Sequence, residues 1–174
     1  MARDILKTLK SEHDELRKLF EQVNNTTDRA LKTRADLLER IEASLMPHAK
    51  WEEQVFYPEF LRRADRDGQQ VHAEAVEEHK AVEKTVMPDV RSSEVDTPEF
   101  AGRIKVFGEM IEHHAREEEK TMFKMARELF TPEERAELDE QYEAWKKSEV
   151  GMEMVAAARQ QAMGQSAQAG ARPH

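Results

Sequence analysis

The feature that most constrains this chain is an internal repeat of two histidines and a glutamate. The repeated residues are His13, His48 and Glu52 in the first half, and His79, His114 and Glu118 in the second. The offset is 66 residues in each case (79 − 13, 114 − 48 and 118 − 52). Apolar positions share this offset, including Leu45 and Ile111. A repeat of this kind indicates a duplicated helical hairpin in which each half supplies the same three polar side chains.

Apolar residues recur at helical spacing in five segments, which predicts an all-α fold. The segments cover about residues 4–23, 30–63, 69–90, 97–129 and, in a shorter helix, 131–145. No stretch shows the strict alternation of a half-buried strand. Four long segments joined by short connections predict an up-down-up-down four-helix bundle with a short extra C-terminal helix.

The last part of the chain has a different composition. From residue 148 onward Gly, Ala, Gln, Met and Ser dominate, and no apolar stripe is sustained. We therefore predict one domain over residues 1–147 and a flexible C-terminal tail over residues 148–174, in which residues 152–158 could form a short helix.

Composition restricts the possible partners and the location. The chain has no cysteine, which excludes disulfides and thiolate metal ligands. Its net charge of −9 argues against nucleic acid or an anionic membrane as a partner. The N-terminus lacks the apolar core of a signal peptide, and no apolar run reaches the length of a membrane span. We expect a cytoplasmic protein that is a monomer or a weak dimer.

The repeated residues have the spacing of a metal site. Residues four apart on a helix share a face, so His48 with Glu52, and His114 with Glu118, can each bind one ion. Such pairs also occur simply as supports of exposed helices, and the common offset favours the metal interpretation. Imidazole and carboxylate without sulfur suit iron, manganese or zinc. Four histidines and two glutamates are enough for two ions that share bridging carboxylates and a bridging oxygen.

Other metal and nucleotide motifs are absent from the sequence. No histidine has a glutamate three residues before it, as ferritin-like di-iron bundles require. The His-Glu-x-x-His motif of zinc proteases is also absent, as are a Gly-rich phosphate loop and a Gly-x-Ser-x-Gly elbow.

Taken in order, the motifs resemble those of the hemerythrin-like, or HHE cation-binding, family. The matching elements are His13, His48-x-x-x-Glu52-Glu53-x-x-x-Tyr57-Pro58, Glu78-His79, and His114-x-x-x-Glu118-Glu119-x-x-x-Phe123. The likeness covers about residues 4–130. It implies a four-helix bundle with two non-haem iron ions bridged by an oxo or hydroxo group, with zinc or manganese as alternatives. The implied metal ligands are His13, His48, Glu52, His79, His114 and Glu118.

Two positions depart from the pattern of the oxygen-carrying hemerythrins. Those proteins have a second histidine four residues after the one in the third helix, and here that position is Glu83. They also have an acid five residues after the histidine of the fourth helix, so Glu119 competes with Glu118. With Glu83 as an additional ligand, the site would be richer in carboxylate and would favour ferric iron. These departures favour peroxide chemistry over reversible oxygen carriage.

Three functions follow from these observations. The first is a di-iron protein that reacts with peroxide or dioxygen, for example by catalase-like breakdown of peroxide or in iron handling under oxidative stress. The second is a sensor or carrier that binds O2 or NO, or an iron-binding module without turnover. The third is an interaction bundle that contains no metal.

Overall fold

The computed structural model describes the backbone of residues 3–169 and the side chains of residues 3–160. Within this range the secondary structure is helical and contains no strand, so the prediction of an all-α chain is confirmed. Across the same residues, none of the helices combines the length and the apolar character that a bilayer span requires.

The described residues form six continuous helices. They are α1 (Ile5–Asn24), α2 (31–63), α3 (66–91), α4 (98–129), α5 (Pro132–Trp145) and α6 (Glu149–Ala169). The first helix packs against α2, α4 and α5, and α6 packs against α2 and the C-terminal end of α3. This count exceeds the predicted four long helices and one short helix, because α6 occupies most of the segment predicted to be a flexible tail.

Side-chain caps start the helices where the sequence contains Asp or Thr. Asp4 accepts a hydrogen bond from Leu6 N (3.0 Å), and Thr131 forms a capping box with Glu134 at the start of α5. Asp65 caps α3 by accepting from Gly68 N (3.0 Å). The helix α3 therefore begins at residue 66 rather than near residue 69, where the apolar spacing predicted its start.

Each of the three long helices contains one π-helical turn close to its repeated histidine. These turns are Glu52–Phe56 in α2, Val82–Val86 in α3 and Glu118–Met122 in α4. In α2 and α3 a proline, Pro58 or Pro88, follows the turn by two residues. Because proline has no N–H group, a wider turn before it reduces the loss of backbone hydrogen bonds. Lys124 lies at the matching place in α4, so proline does not explain the third turn.

The core consists of two hydrophobic clusters. Cluster 1 comprises Leu16, Leu19, Phe20, Val23, Leu37, Ile41, Leu45, Met46, Val82, Met87, Val90, Phe100, Ile104, Phe107, Ile111 and Ala158. Cluster 2 comprises Ile5, Leu6, Leu9, Trp51, Phe56, Tyr57, Phe60, Ala75, Met122, Phe123, Ala126, Phe130, Leu138 and Tyr142. On every one of the first four helices, the repeated histidine lies between its cluster 1 and cluster 2 residues. The four repeated histidines therefore form a polar layer that separates the two clusters.

Residues 149–169, which were predicted to be a flexible tail with a possible short helix over residues 152–158, form the longer helix α6. The helix is rich in Ala, Gln and Met, which favour helices. Val155 and Ala158 pack against cluster 1, so the helix also buries apolar surface. Gly151 permits its close approach to α5, since a Cβ atom there would lie 2.1 Å from the backbone oxygen of Trp145. Residues 170–174 of the predicted tail lie outside the described residues.

Candidate metal centre

The four repeated histidines meet in the polar layer as two pairs. Nε2 of His13 lies 3.1 Å from Nε2 of His48, and Nε2 of His79 lies 3.0 Å from Nε2 of His114. Each pair joins neighbouring helices, α1 with α2 and α3 with α4. All four side chains are buried. The repeat in the sequence thus corresponds to a repeat in space.

Two buried glutamates lie between the histidine pairs. Oε1 of Glu52 is 3.2 Å from His48 Nε2, and its Oε2 is 3.6 Å from His79 Nε2. Oε2 of Glu118 is 3.4 Å from His13 Nε2 and 3.6 Å from His114 Nε2. Each carboxylate therefore faces one histidine of each pair, as a carboxylate that bridges two cations would.

The carboxylate oxygens at this place are buried without hydrogen-bond partners. Both oxygens of Glu52 and Oε2 of Glu118 make no hydrogen bond with any described residue. Burying a carboxylate without a compensating partner costs several kcal/mol or more. A cation between these oxygens and the imidazole nitrogens would supply the missing partner. The residues present therefore fit a metal centre.

The donor atoms form two overlapping groups. His13, His48, Glu52 and Glu118 each offer one atom within 4.8 Å of the others, and so do Glu52, His79 and His114. Glu52 belongs to both groups. Buried nitrogen and oxygen donors without sulfur suit iron, manganese or zinc. The arrangement can accommodate two ions side by side.

On the edge of each histidine ring away from the centre, a carboxylate contacts the Nδ1 atom. The Nδ1 atoms lie close to Glu119 for His13 (3.1 Å), Glu12 for His48 (2.9 Å), Glu53 for His79 (3.1 Å) and Glu78 for His114 (2.7 Å). These acceptors place the proton on Nδ1 and leave the lone pair of Nε2 free for a metal. The four acids also follow the offset of 66, as Glu12 with Glu78 and Glu53 with Glu119.

Three of these acids have lowered pKa values in spite of their partial burial. Burial raises the pKa of Glu119, but its hydrogen bonds and ion pairs with His13 and Arg17 together outweigh this effect and lower the pKa to about 2. Burial likewise raises the pKa of Glu12 and Glu53. The contacts of Glu12 with His48, Lys146 and Tyr142, and those of Glu53 with His79 and Lys50, together outweigh burial and lower both pKa values. The negative charge of the layer therefore exceeds that of Glu52 and Glu118 alone.

The surrounding carboxylates raise the pKa of two of the histidines. Burial lowers the pKa of the His48 imidazole, but the carboxylates of Glu52 and Glu12 outweigh it and raise the pKa well above its ordinary value. The pKa of His114 is raised in the same way by Glu118 and Glu78. The anions around the imidazoles thus attract positive charge to the Nε2 side, which a metal ion would supply.

Glu12 and Glu78 were not predicted as functional residues. For Glu53 and Glu119, the sequence alone did not distinguish an acid that orients a histidine from an acid on the surface. The signal was present, because Glu12 and Glu78 directly precede His13 and His79 and share the offset of 66. Their contacts cross between helices, however, and neighbouring positions on one helix do not reveal them.

Tyr57 makes the two halves of the centre different. Its hydroxyl donates to Oε1 of Glu118 (2.7 Å) and lies 3.2 Å from His79 Nε2. The repeat-related residue is Phe123, whose ring stacks on His13 with centroids 5.9 Å apart. A phenol therefore adjoins the His79–His114 pair, and an apolar ring adjoins the His13–His48 pair.

The two alternative ligands lie outside the donor groups. Glu83 accepts a hydrogen bond from Lys50 (2.6 Å). Glu119 contacts Nδ1 of His13 and the guanidinium of Arg17, on the far side of the imidazole. The structure thus brings together the six repeated residues and gives Glu83 and Glu119 other partners.

A cavity of about 250 Å³ adjoins the histidine side of the layer. All four histidines contribute to its wall, together with the cluster 1 side chains Leu16, Leu45, Met46, Val82, Met87 and Ile111. On the other side, cluster 2 closes the layer with aromatic rings. The cavity therefore gives a small molecule a route to the layer from the cluster 1 side.

Comparison with known proteins identifies the family. The family described as the hemerythrin HHE cation binding domain matches residues 4–126. A crystal structure of a hemerythrin HHE cation binding domain-containing protein, an Rv2633c homolog from Mycobacterium kansasii, has the same fold. Its TM-score is 0.75, with 20% identity over 95% of this chain and 98% of that chain. No curated protein matches the sequence. The family match covers most of the chain, and the chain therefore belongs to the hemerythrin HHE cation-binding domain family.

Proposed function

We propose that this protein is a non-haem di-iron protein that reacts with peroxide or dioxygen. The observation that carries the proposal is the set of partnerless carboxylate oxygens of Glu52 and Glu118, which face the Nε2 atoms of two histidine pairs. The proposed metal ligands are His13, His48, Glu52, His79, His114 and Glu118. When bound, two iron ions joined by an oxo or hydroxo group would supply redox chemistry toward O2 or H2O2.

The residues around the ions orient the donors and exclude water. The four Nδ1 acceptors fix the orientation of the imidazoles, and the hydroxyl of Tyr57 holds Oε1 of Glu118. The aromatic rings of cluster 2 exclude bulk water from one side of the layer. The cavity on the other side leaves a route for a small molecule.

The number of histidines supports peroxide chemistry over reversible oxygen carriage. Each donor group offers two histidines, and the position of a further histidine in the oxygen carriers is Glu83. Glu83 pairs with Lys50 and does not replace the missing imidazole. Fewer protein ligands leave more positions for an exchangeable small molecule, which favours turnover over the holding of one gas molecule. Glu83 is therefore not among the proposed metal ligands.

The experiment compares oxygen evolution with reversible gas binding. We expect the ferrous-loaded protein to release O2 from H2O2 faster than the same concentration of free iron, and His48→Ala to lose this activity. Uptake and release of O2 or NO without consumption, and without O2 evolution, would favour a sensor or carrier instead. Stable iron binding with neither property would leave an iron-binding module.

Several further features are part of the proposal. The first four helices form the up-down-up-down four-helix bundle of the family, and residues 1–147 form its domain. The partners are the small molecules O2, H2O2 or NO, with neither nucleic acid nor a membrane. A cytoplasmic location and a monomeric or weakly dimeric state stay predictions from the sequence.

A further inference from the structure

The cavity beside the histidines is much larger than the molecules named so far require. It encloses about 250 Å³, whereas one water molecule in the liquid occupies about 30 Å³ and an apolar cavity of roughly 150 Å³ can hold benzene. Dioxygen and hydrogen peroxide contain only two heavy atoms each. The space would therefore remain mostly empty around either of them.

The walls of the cavity are mostly apolar, and charged or polar side chains border it at the histidine layer and near the surface. Leu16, Leu45 and Val82 are buried side chains of three different helices that line it, and Met46, Met87 and Met110 add flexible thioethers. Methionine adapts its shape to apolar ligands. A space with this lining favours an apolar group over a chain of water molecules.

The cavity has its outer end at the surface between α3 and α4. Val106, which is 50% exposed, borders it together with the exposed residues Glu109 and His113 of α4. From there it continues inward to His13 and His48 of the other two helices. A molecule that enters between α3 and α4 would thus reach the Nε2 side of the histidine layer.

The charges around the cavity select against anions. Four glutamates line it, namely Glu53, Glu78, Glu83 and Glu109, together with one lysine, the surface histidine His113 and the four histidines of the layer. The lysine, Lys50, already contacts Glu53 and Glu83. A carboxylate ligand such as a fatty acid would be repelled by these glutamates before it reached the histidines. A neutral ligand would not.

We propose that this cavity binds the apolar group of a neutral organic hydroperoxide, whose peroxide end faces the four histidines. The inference rests on the proposed function for the peroxide end only. The binding of the apolar group depends on the cavity walls and is independent of any metal. An apolar cavity of this size excludes neither O2 nor H2O2, but it adds binding free energy only for a larger molecule.

The binding test uses an unreactive analogue. Cumyl alcohol has the phenyl group and two methyl groups of cumene hydroperoxide but no peroxide bond, and its binding can be measured by titration calorimetry. We expect one saturable site per chain, both in the protein as purified and after removal of metal by a chelator. In the metal-free protein, the matched anion 2-methyl-2-phenylpropanoate is expected to bind at least about tenfold more weakly than the alcohol, because of the glutamates around the cavity. Equal binding of the anion would contradict the proposed neutral ligand.

Two substitutions test whether the ligand binds in this cavity. Val82→Phe fills the space from α3 and Met110→Phe fills it from α4, and each is expected to weaken cumyl alcohol binding at least about tenfold. Val86→Phe is the matched control: Val86 lies one turn further along α3, is partly buried against cluster 1 and is not part of the cavity wall. Thermal unfolding verifies that each variant is folded.

The outcomes separate this inference from the proposed function. Absence of saturable binding in the folded wild-type protein would overturn the inference, as would unchanged binding in both filled variants. Neither result would bear on whether the centre binds iron. Conversely, binding of cumyl alcohol by a protein that takes up no iron would support the apolar binding site. It would contradict the assignment of the peroxide end to a metal centre.

Discussion

Each imidazole of the candidate centre contacts a carboxylate on both of its nitrogens. At His48, for example, Glu12 lies 2.9 Å from Nδ1 and Glu52 lies 3.2 Å from Nε2. The two acids have different environments, because Glu12 has further hydrogen-bond donors and the oxygens of Glu52 have none. This difference distinguishes an acid that orients a ligand from an acid that is itself a ligand.

The first residue-scale prediction concerns the two central acids. Glu52→Gln and Glu118→Gln each remove one negative charge from the donor set, and we expect both variants to retain much less iron than the wild-type protein. Glu83→Gln is the control, since its carboxylate contacts Lys50 rather than the histidines. Metal analysis after loading with ferrous iron and desalting measures the effect. Loss of iron in Glu83→Gln equal to that in Glu52→Gln would show that Glu83 is a ligand after all.

The second residue-scale prediction concerns the phenol of Tyr57. Tyr57→Phe removes the donor to Oε1 of Glu118 and leaves that buried oxygen unsatisfied. We expect the metal-free variant to lose about 1–3 kcal/mol of unfolding free energy. The ring itself fits, because Phe123 is the matching residue in the other half of the repeat. Urea unfolding of the metal-free proteins measures the change, and a variant as stable as the wild type would show that this hydrogen bond contributes nothing.

At the residue scale, the sequence identified the side chains that the structure brings together but not all of those that orient them. His13, His48 and their repeat mates were recognised because spacing and offset agreed. Glu83 occupies the position at which the oxygen-carrying hemerythrins have a second histidine, which predicted an additional ligand, yet its side chain turns toward Lys50 on α2. The direction of a side chain depends on the neighbouring helix, which spacing within α3 does not specify.

At the element scale, α5 supports one of the four histidines, His48, although α5 lies outside the first four helices. Tyr142 donates to Oε2 of Glu12 (2.8 Å), and Lys146, directly after α5, lies 3.1 Å from Oε1 of the same residue. Glu12 in turn orients His48. The repeat mate Glu78 has no such support from α5 and lies 3.3 Å from the imidazole of the exposed His113, so the two hairpins receive unequal support.

Removal of this support tests its role in metal binding. Tyr142→Phe and Lys146→Met are expected to lower the affinity for iron by about tenfold or more, which is typical when a group that orients a ligand is lost. Lys147→Met is the control, since Lys147 is exposed. Competition with a coloured chelator measures the affinity. If all three variants had the wild-type affinity, α5 would have only a packing role.

The position of α6 gives a second element-scale prediction. Gly151→Ala places a methyl group against the backbone oxygen of Trp145, and we expect α6 to detach from α2 and α3. Faster amide hydrogen exchange in residues 152–160 measures this change. Gly102→Ala is the control, because a Cβ atom there meets nothing within 4 Å on an exposed helix surface. Unchanged exchange in Gly151→Ala would show that the contact can adjust.

The first five helices were predictable because capping residues and apolar stripes coincide in the sequence. Thr97 and Thr131 each precede a proline and an acid, and both cap a helix in the structure. The sixth helix has too few apolar residues for a stripe, and it is placed by its contacts with cluster 1. The three π-helical turns also escaped prediction, since the apolar spacing of a long helix hardly changes over five residues.

At the scale of the whole molecule, the polar layer divides the core into two clusters. A layer of four imidazoles and two carboxylates, three of whose oxygens have no hydrogen-bond partner, contributes little to stability without a cation, because buried charges lose their hydration. Metal binding to the folded state alone raises stability by an amount that grows with metal concentration. We therefore expect iron loading to raise the melting temperature. A variant that lacks both His48 and His114 should show no such increase in a thermal unfolding experiment.

The most direct test of the central claim is an anaerobic titration with ferrous iron, followed by metal analysis of the desalted protein. The proposed centre predicts about two tightly bound ions per chain, and none retained when His48 and His114 are both replaced by alanine. A wild-type protein that retains no iron, or a double variant that retains as much as the wild type, would contradict a metal centre formed by the repeated histidines and glutamates.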